Sequence, residues 1–445
     1  MLEVMLLGVA AFLMIFDVHY RDQWFLVFDA LSRVAKGLLG FFFFMGVLSA
    51  SLADFPKHGF QEVFLLALLY VFAVGIAAQI RLHGEQAIFF VILAIFVSII
   101  LITIFLINVY IDRFSLADQS LVPFGFFRFA NVRFFNHFQT WTLPLLALPF
   151  LYWSGRLGYW KVILFLPSSF WWAWWIFSGG RGTLLSMLLG SLAVWFFFRD
   201  HAYPWLRFQV RALFWGWVIY VMMFHIIVPE SGMITLAREP DEARLLLWAA
   251  ALRMSAEHPL LGIAPQHYAF LHPVALLAHP HNAFFQVLAE WGIPAFLAFC
   301  LLIFSGFRSW IRTALHAHPE QQAASQNRHH TLVALTCSAV GGLVHAQVCG
   351  ILVMPFSQVM GVIVMGLMIA LHQDALPTAP VPMVQTSWQK SIGFIGAHVV
   401  LISVLVWTLF PEVTHLEENR MNYFQHFPEE TNMHPRFWRQ GLIGF

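Results

Sequence analysis

The sequence predicts an all-α polytopic membrane protein, a bundle of about 12 transmembrane helices with one large extracytoplasmic loop. Three observations lead there. The 445 residues are 60% hydrophobic and 11% charged, with a mean hydropathy of +0.73, more apolar surface than a soluble domain can bury. Apolar runs long enough to cross ~30 Å of hydrocarbon recur along almost the whole chain. Arginine collects in a few short segments between those runs, the pattern that orients membrane helices.

Read in order, the apolar runs place spans near 2–16, 35–53, 60–80, 86–108, 137–153, 159–177, 181–198, 207–228, 283–305, 331–350, 353–372 and 391–410. The first is short, and its acidic Glu3 and lack of a basic leader argue for a retained helix. A further helix near 24–30 would reverse the side of the N-terminus. Arg199, Arg207 and Arg211, and then Arg308, Arg312 and Arg328, mark two cytoplasmic loops. Alternation sends 111–136, 178–182, 229–282 and the tail to the other side. The chain thus divides into N-terminal helices (1–228), a large loop with a surface helix (229–282), C-terminal helices (283–410) and a short extracytoplasmic tail (411–445).

The net charge of +1, with no basic run, excludes nucleic acid as a partner. Cys300, Cys337 and Cys349 lie in apolar stretches without CxxC spacing, so neither disulfides nor a cysteine zinc site is expected. Trp171, Trp172, Trp174 and Trp175 crowd the end of one span, which reads as an interfacial belt or helix packing before sugar stacking.

Within the large loop, residues 241–257 form a helix that ends at His258-Pro259. Helical spacing puts Arg244, Trp248, Ala251 and Ser255 on one stripe and Leu246, Ala250, Arg253 and Glu257 on the opposite one. Arg253 is expected to pair with Glu257 at i,i+4, which leaves Arg244 as the arginine for a ligand. The loop also holds His258, His267, His272, His279 and His281. They lack HExxH or an equivalent ligand spacing, so no metal is assigned to them, and one of them is the natural general base.

Two motifs carry a resemblance. His258-Pro-Leu-Leu-Gly-Ile, followed by His279-Pro-His-Asn-Ala-Phe-Phe-Gln-Val-Leu-Ala-Glu-Trp-Gly-Ile-Pro, resembles the O-antigen ligase and polymerase superfamily at its most recognisable stretch. Ser178-Gly-Gly-Arg-Gly-Thr is similar to the family's arginine-bearing helix. Ala264-Pro265 stands where many members carry a second glycine, a departure that bears on the loop's shape.

The resemblance implies a transferase in the bacterial inner membrane with a periplasmic active site, which makes the large loop periplasmic. Such enzymes take a glycan from undecaprenyl diphosphate and join it to an acceptor hydroxyl without nucleotide sugar, metal or other cofactor. That chemistry needs a base near the acceptor and fixed positive charge for the departing diphosphate. The resemblance gives the first role to His281 and favours Arg181 for the second, and Arg244, singled out by the helix spacing above, joins Arg181 there. Arg133, Arg128, Arg253, His279, Asn282, His345, Gln347 and Gln358 are further candidates for substrate contact. Plainer alternatives are a helix cap for Asn282, interhelical hydrogen bonds for His345, Gln347 and Gln358, the Glu257 pair for Arg253, and loop roles for Arg128 and Arg133. Glu290, on the opposite helix face from His281, reads as a buried helix–helix hydrogen-bonding group.

Among acceptors, lipid A-core comes first, then pilin or another protein, then a growing glycan as in a polymerase. Membrane lipids surround the bundle in every case. A transporter is the competing class, and would show broken helices at mid-membrane and a two-fold repeat.

Overall fold

The computed structural model describes residues 2–115, 129, 132–227, 242–269, 279–315, 322–374 and 387–415, with five further positions between 417 and 425. Arg128, His272 and most of the tail lie outside them. Among the described residues regular structure is entirely helical. The helices are α1 (Leu2–Phe16), α2 (Val18–Asp29), α3 (Arg33–Ser51), α4 (Pro56–His83), α5 (Glu85–Ser115), α6 (Val132–Thr142), α7 (Ala147–Leu157) and α8 (Lys161–Ser178). They continue with α9 (Arg181–Phe198), α10 (Tyr203–Val221), α11 (Glu242–Glu257), α12 (Ala283–Leu315), α13 (Gln322–His345), α14 (Pro355–Asp374) and α15 (Trp388–Thr414).

Each expected span overlaps helix, and among the described residues seven segments, against the about twelve expected, are long and apolar enough to cross a bilayer. Two physical reasons account for part of the difference. The span expected at 137–153 is broken between Thr142 and Ala147, leaving two eleven-residue helices. α9 and α10 run on through one 47-residue apolar stretch, Arg181–Ile227, interrupted by the 3-10 turn Arg199–Ala202. The additional helix anticipated near 24–30 is α2, capped by Asp17, whose carboxylate accepts from Tyr20 N at 3.0 Å.

The chain forms two compact units. The first comprises Met1–Leu82, Asp241–Thr313 and Ala346–Phe445. Its core joins α1, α4, α14 and α15 through Leu7, Leu68, Val362 and Leu405. α3 meets α12 where Phe42 stacks on Trp291 at 4.4 Å, an approach that only a glycine at 46 permits, since a Cβ there would lie 2.1 Å from the Trp291 ring. α11 buries Leu247, Ala251 and Met254 against Tyr268 and Ala289. α12 was expected as one continuous span, but it breaks at Gly292.

The second unit comprises His83–Pro240 and Ala314–His345. Small residues let its helices touch backbone to backbone: a Cβ at Gly190 would come 2.9 Å from Cys337 O, and one at Gly216 would come 2.7 Å from Ser169 O. The tryptophan run of α8 is buried, which decides for helix packing over an interfacial belt. Trp171 Nε1 donates to Thr142 Oγ1 at 3.1 Å and Trp172 Nε1 to Gln209 Oε1 at 3.2 Å.

Candidate active site

In the first unit the two halves of the long motif lock onto one another. Pro259 stops α11, and Gly262, at φ +67, folds the chain back so that its N–H reaches His258 O at 2.9 Å. Ile263 N then donates to Ala289 O at 2.9 Å, and Ile293 N donates to Pro259 O at 2.8 Å. The second bond requires the break in α12. Gly292 sits at φ 80, ψ 169, a region essentially reserved for glycine. The Pro-Leu-Leu-Gly turn and the Glu-Trp-Gly segment are therefore two sides of one clasp.

Ala264, at the position where the resemblance leads one to expect a second glycine, nonetheless adopts φ +84. The loop keeps its glycine-like path, and the alanine carries about 1–2 kcal/mol of strain. Its methyl is buried, worth ~0.8 kcal/mol, and glycine would add unfolded-state freedom. These offset one another, so Ala264→Gly should change unfolding free energy by less than about 1 kcal/mol, read as the thermal midpoint of the detergent-purified protein. A larger loss would mean that the φ at this position carries no strain.

Glu290 is fully buried, and two of its bonds run to the loop and to its own helix. It accepts from Tyr268 N at 3.0 Å and from Gln286 Nε2 at 3.4 Å. Burial, and then the neighbouring Glu290, raise the Tyr268 phenol well above its ordinary pKa. It stays protonated and donates to Leu247 O at 2.9 Å, which ties α11 to the clasp. His267 is also committed, accepting from Phe55 N through Nε2 at 3.1 Å.

The clasp delivers the segment His279–Asn282 to the start of α12. Asn282 is the N-cap: its Oδ1 accepts from Phe284 N at 2.9 Å and Phe285 N at 3.0 Å. Its Nδ2 donates to Gln347 O at 3.1 Å, and Ala283 N donates to Ala346 O at 2.7 Å. Gln347 thus meets the motif through its backbone carbonyl. His281 is half-buried at φ +54, the left-handed region that a histidine seldom adopts. His279 is buried, its ring filling the space over Gly350, and its Nδ1 accepts from His281 N at 3.2 Å. The two rings are 4.2 Å apart. An Nδ1 that accepts is unprotonated, so a neutral His279 carries its proton on Nε2.

α11 approaches the same segment, because Trp248 Nε1 donates to Pro280 O at 3.0 Å. Arg244 lies one turn before Trp248 on this stripe and is half-buried, whereas Arg253 is exposed on the other face. The expected Arg253–Glu257 pair does not form among the described residues; both side chains extend outward. Gln358, also in the first unit, is buried and donates to Leu352 O at 2.9 Å, a local structural bond.

Arg181, Arg133 and His345 belong to the second unit. Arg181 is the first residue of α9 and is exposed, while Arg133 is half-buried in α6. His345 is buried and shares a 2.7 Å hydrogen bond with Thr140 Oγ1, in line with the interhelical alternative. Sequence reasoning missed the company it keeps. α6 buries every residue from Phe135 to Thr142, among them Asn136, His137, Gln139, Thr140 and Thr142. The one legible signal was the density of amide and hydroxyl side chains in an otherwise apolar run.

Residues 162–300 match the family model described as O-antigen ligase. The matched stretch runs from α8 into α12 and contains Arg181, Arg244, the clasp and His281. No curated protein matches the chain.

Proposed function

We propose, from the match of residues 162–300 to the O-antigen ligase family model, that the chain moves an oligosaccharide or polysaccharide from undecaprenyl diphosphate to the hydroxyl of lipid A-core at the periplasmic face of the inner membrane. His281 takes the proton of the acceptor hydroxyl, which attacks the anomeric carbon from the side opposite the diphosphate. The bond to the diphosphate breaks, and configuration inverts. The observation that carries this reading is the arrangement of His279, His281 and Asn282. A neutral His279 beside His281 leaves His281 to accept the proton, since two charged imidazoles at this separation repel. The cap at Asn282 and the left-handed φ hold the His281 ring at the mouth of α12.

Arg181 and Arg244 are assigned to the diphosphate, whose charge rises as the bond breaks; guanidinium groups bind phosphate oxygens in pairs and stay charged near a membrane. Arg253 has no such role. Arg244→Ala should raise KM for the donor by about tenfold or more, the worth of a charge-assisted hydrogen bond, while Arg253→Ala should stay within about twofold. Equal losses in the two variants would remove Arg244 from the site.

The test of the whole reading is transfer by the purified chain, with undecaprenyl-diphosphate-linked oligosaccharide as donor and lipid A-core as acceptor. A labelled lipid A-core product is the expected result. Product on pilin alone would move the acceptor to protein, and solute flux through liposomes without transfer would overturn the enzyme reading.

A further inference from the structure

The second unit contains more buried polar chemistry than helix packing requires, and it converges on one turn. Asn136, Gln139, Thr140, Ser178, Thr183 and His345 are each nearly excluded from solvent. Burying such groups in an apolar bundle is unfavourable unless they bond one another. Here they bond around the start of α9. Asn136 Nδ2 donates to Ser178 Oγ at 2.7 Å, Thr183 Oγ1 donates to Asn136 O at 2.9 Å, and the Thr140 and Thr183 hydroxyls lie 2.9 Å apart. Thr140 Oγ1 in turn meets His345 Nδ1, and Trp175 Nε1 donates to Gly180 O at 3.0 Å.

The glycines on either side of Arg181 give this convergence its meaning. A Cβ at Gly180 would lie 2.6 Å from the Asn136 amide carbon, and one at Gly182 would lie 2.4 Å from His345 Nε2. The backbone is therefore gripped by an amide on one flank and an imidazole on the other. α9 has no side-chain cap of its own: its N-cap is Gly180, and the Ser178 hydroxyl is turned back to Trp175 O. Its first turn is held by α6 and the end of α13 instead, and Arg181 is the exposed residue of that turn.

We infer that His345, with Asn136 and Thr140, is a positioning residue that fixes the first turn of α9 so that Arg181 presents its guanidinium to the donor diphosphate in one orientation. The inference rests on the assignment of Arg181 in the proposed function. Fixing a guanidinium in advance removes its ordering cost from the binding step, and displacements of the order of 1 Å in such clamps cost on the order of tenfold to a hundredfold.

The test is a double-mutant cycle on the full chain in detergent micelles, with undecaprenyl diphosphate itself as the probe, so that the result does not depend on the acceptor. His345→Ala should weaken its binding about tenfold in the wild-type background and leave it within about twofold in the Arg181→Ala background. His345→Asn, whose amide reaches the Nδ1 position, should restore binding, whereas His345→Gln, whose amide reaches Nε2, should not. If His345→Ala fails to accumulate, the near-isosteric Thr140→Val removes the same hydroxyl partner and takes its place in the cycle. Equal weakening in both backgrounds would overturn the inference while leaving Arg181 in its role. Wild-type affinity in Arg181→Ala alone would overturn both, and that single variant tells the two failures apart.

Discussion

Alanine in place of His281 is expected to lower glycan transfer by about 10²–10⁴-fold, the range a positioned general base supplies, with undecaprenyl diphosphate still bound at near wild-type affinity. The separation follows from the structure. His281 lies between the Asn282 cap and the buried His279, and the segment is anchored through the Asn282 side chain to Phe284 N, Phe285 N and Gln347 O. Those anchors remain when residue 281 is replaced. Its φ of +54 sharpens the experiment, because asparagine tolerates that region at least as well as histidine. His281→Asn should match the wild-type thermal midpoint, within about 0.5 kcal/mol of stability, and still fail to transfer. A His281→Ala protein that works at the wild-type rate would end the assignment of the base.

The second large effect falls on stability. Gly292→Ala should cost about 3 kcal/mol or more, seen as a lower thermal midpoint and poor recovery from membranes, with transfer lost alongside. A Cβ at Gly292 would lie 2.5 Å from Leu260 O, 2.6 Å from Leu260 C and 2.8 Å from Leu261 N. All three are backbone atoms of the clasp and cannot step aside as a flexible side chain would. The backbone at φ 80, ψ 169 adds its own penalty for any residue with a side chain. Gly37→Ala in α3 is the control, since nothing lies within 4 Å of a Cβ there; it should be neutral or slightly stabilising. A Gly292→Ala protein as stable as the Gly37→Ala control would mean the clasp does not hold.

The helices and their approximate limits were legible because apolar runs of sufficient length report themselves along one dimension. The stripes of α11 were legible for the same reason, and they separated Arg244 from Arg253 correctly by face. Where reading stopped, the missing partner was distant in sequence. Gly292 looks like an ordinary helical glycine until Leu260 is set against it, and the polar residues of α6 look like a weakness in a span until Ser178, Thr183 and His345 supply their bonds. The Arg253–Glu257 pair shows the opposite error: the spacing allowed a contact that two solvated side chains had no need to make. His281 itself was read from a motif resemblance, while its left-handed backbone and the partnership with His279 required coordinates.

The clasp has a further consequence for the chain it encloses. By joining Pro259 and Ile263 to Ile293 and Ala289, it closes the chain between them into a cycle, and the cost of a closed cycle rises only slowly with its length. Because each of these bonds runs between backbone atoms, the clasp depends on the path of the chain rather than on any one side chain, and the glycines at 262 and 292 are what that path requires.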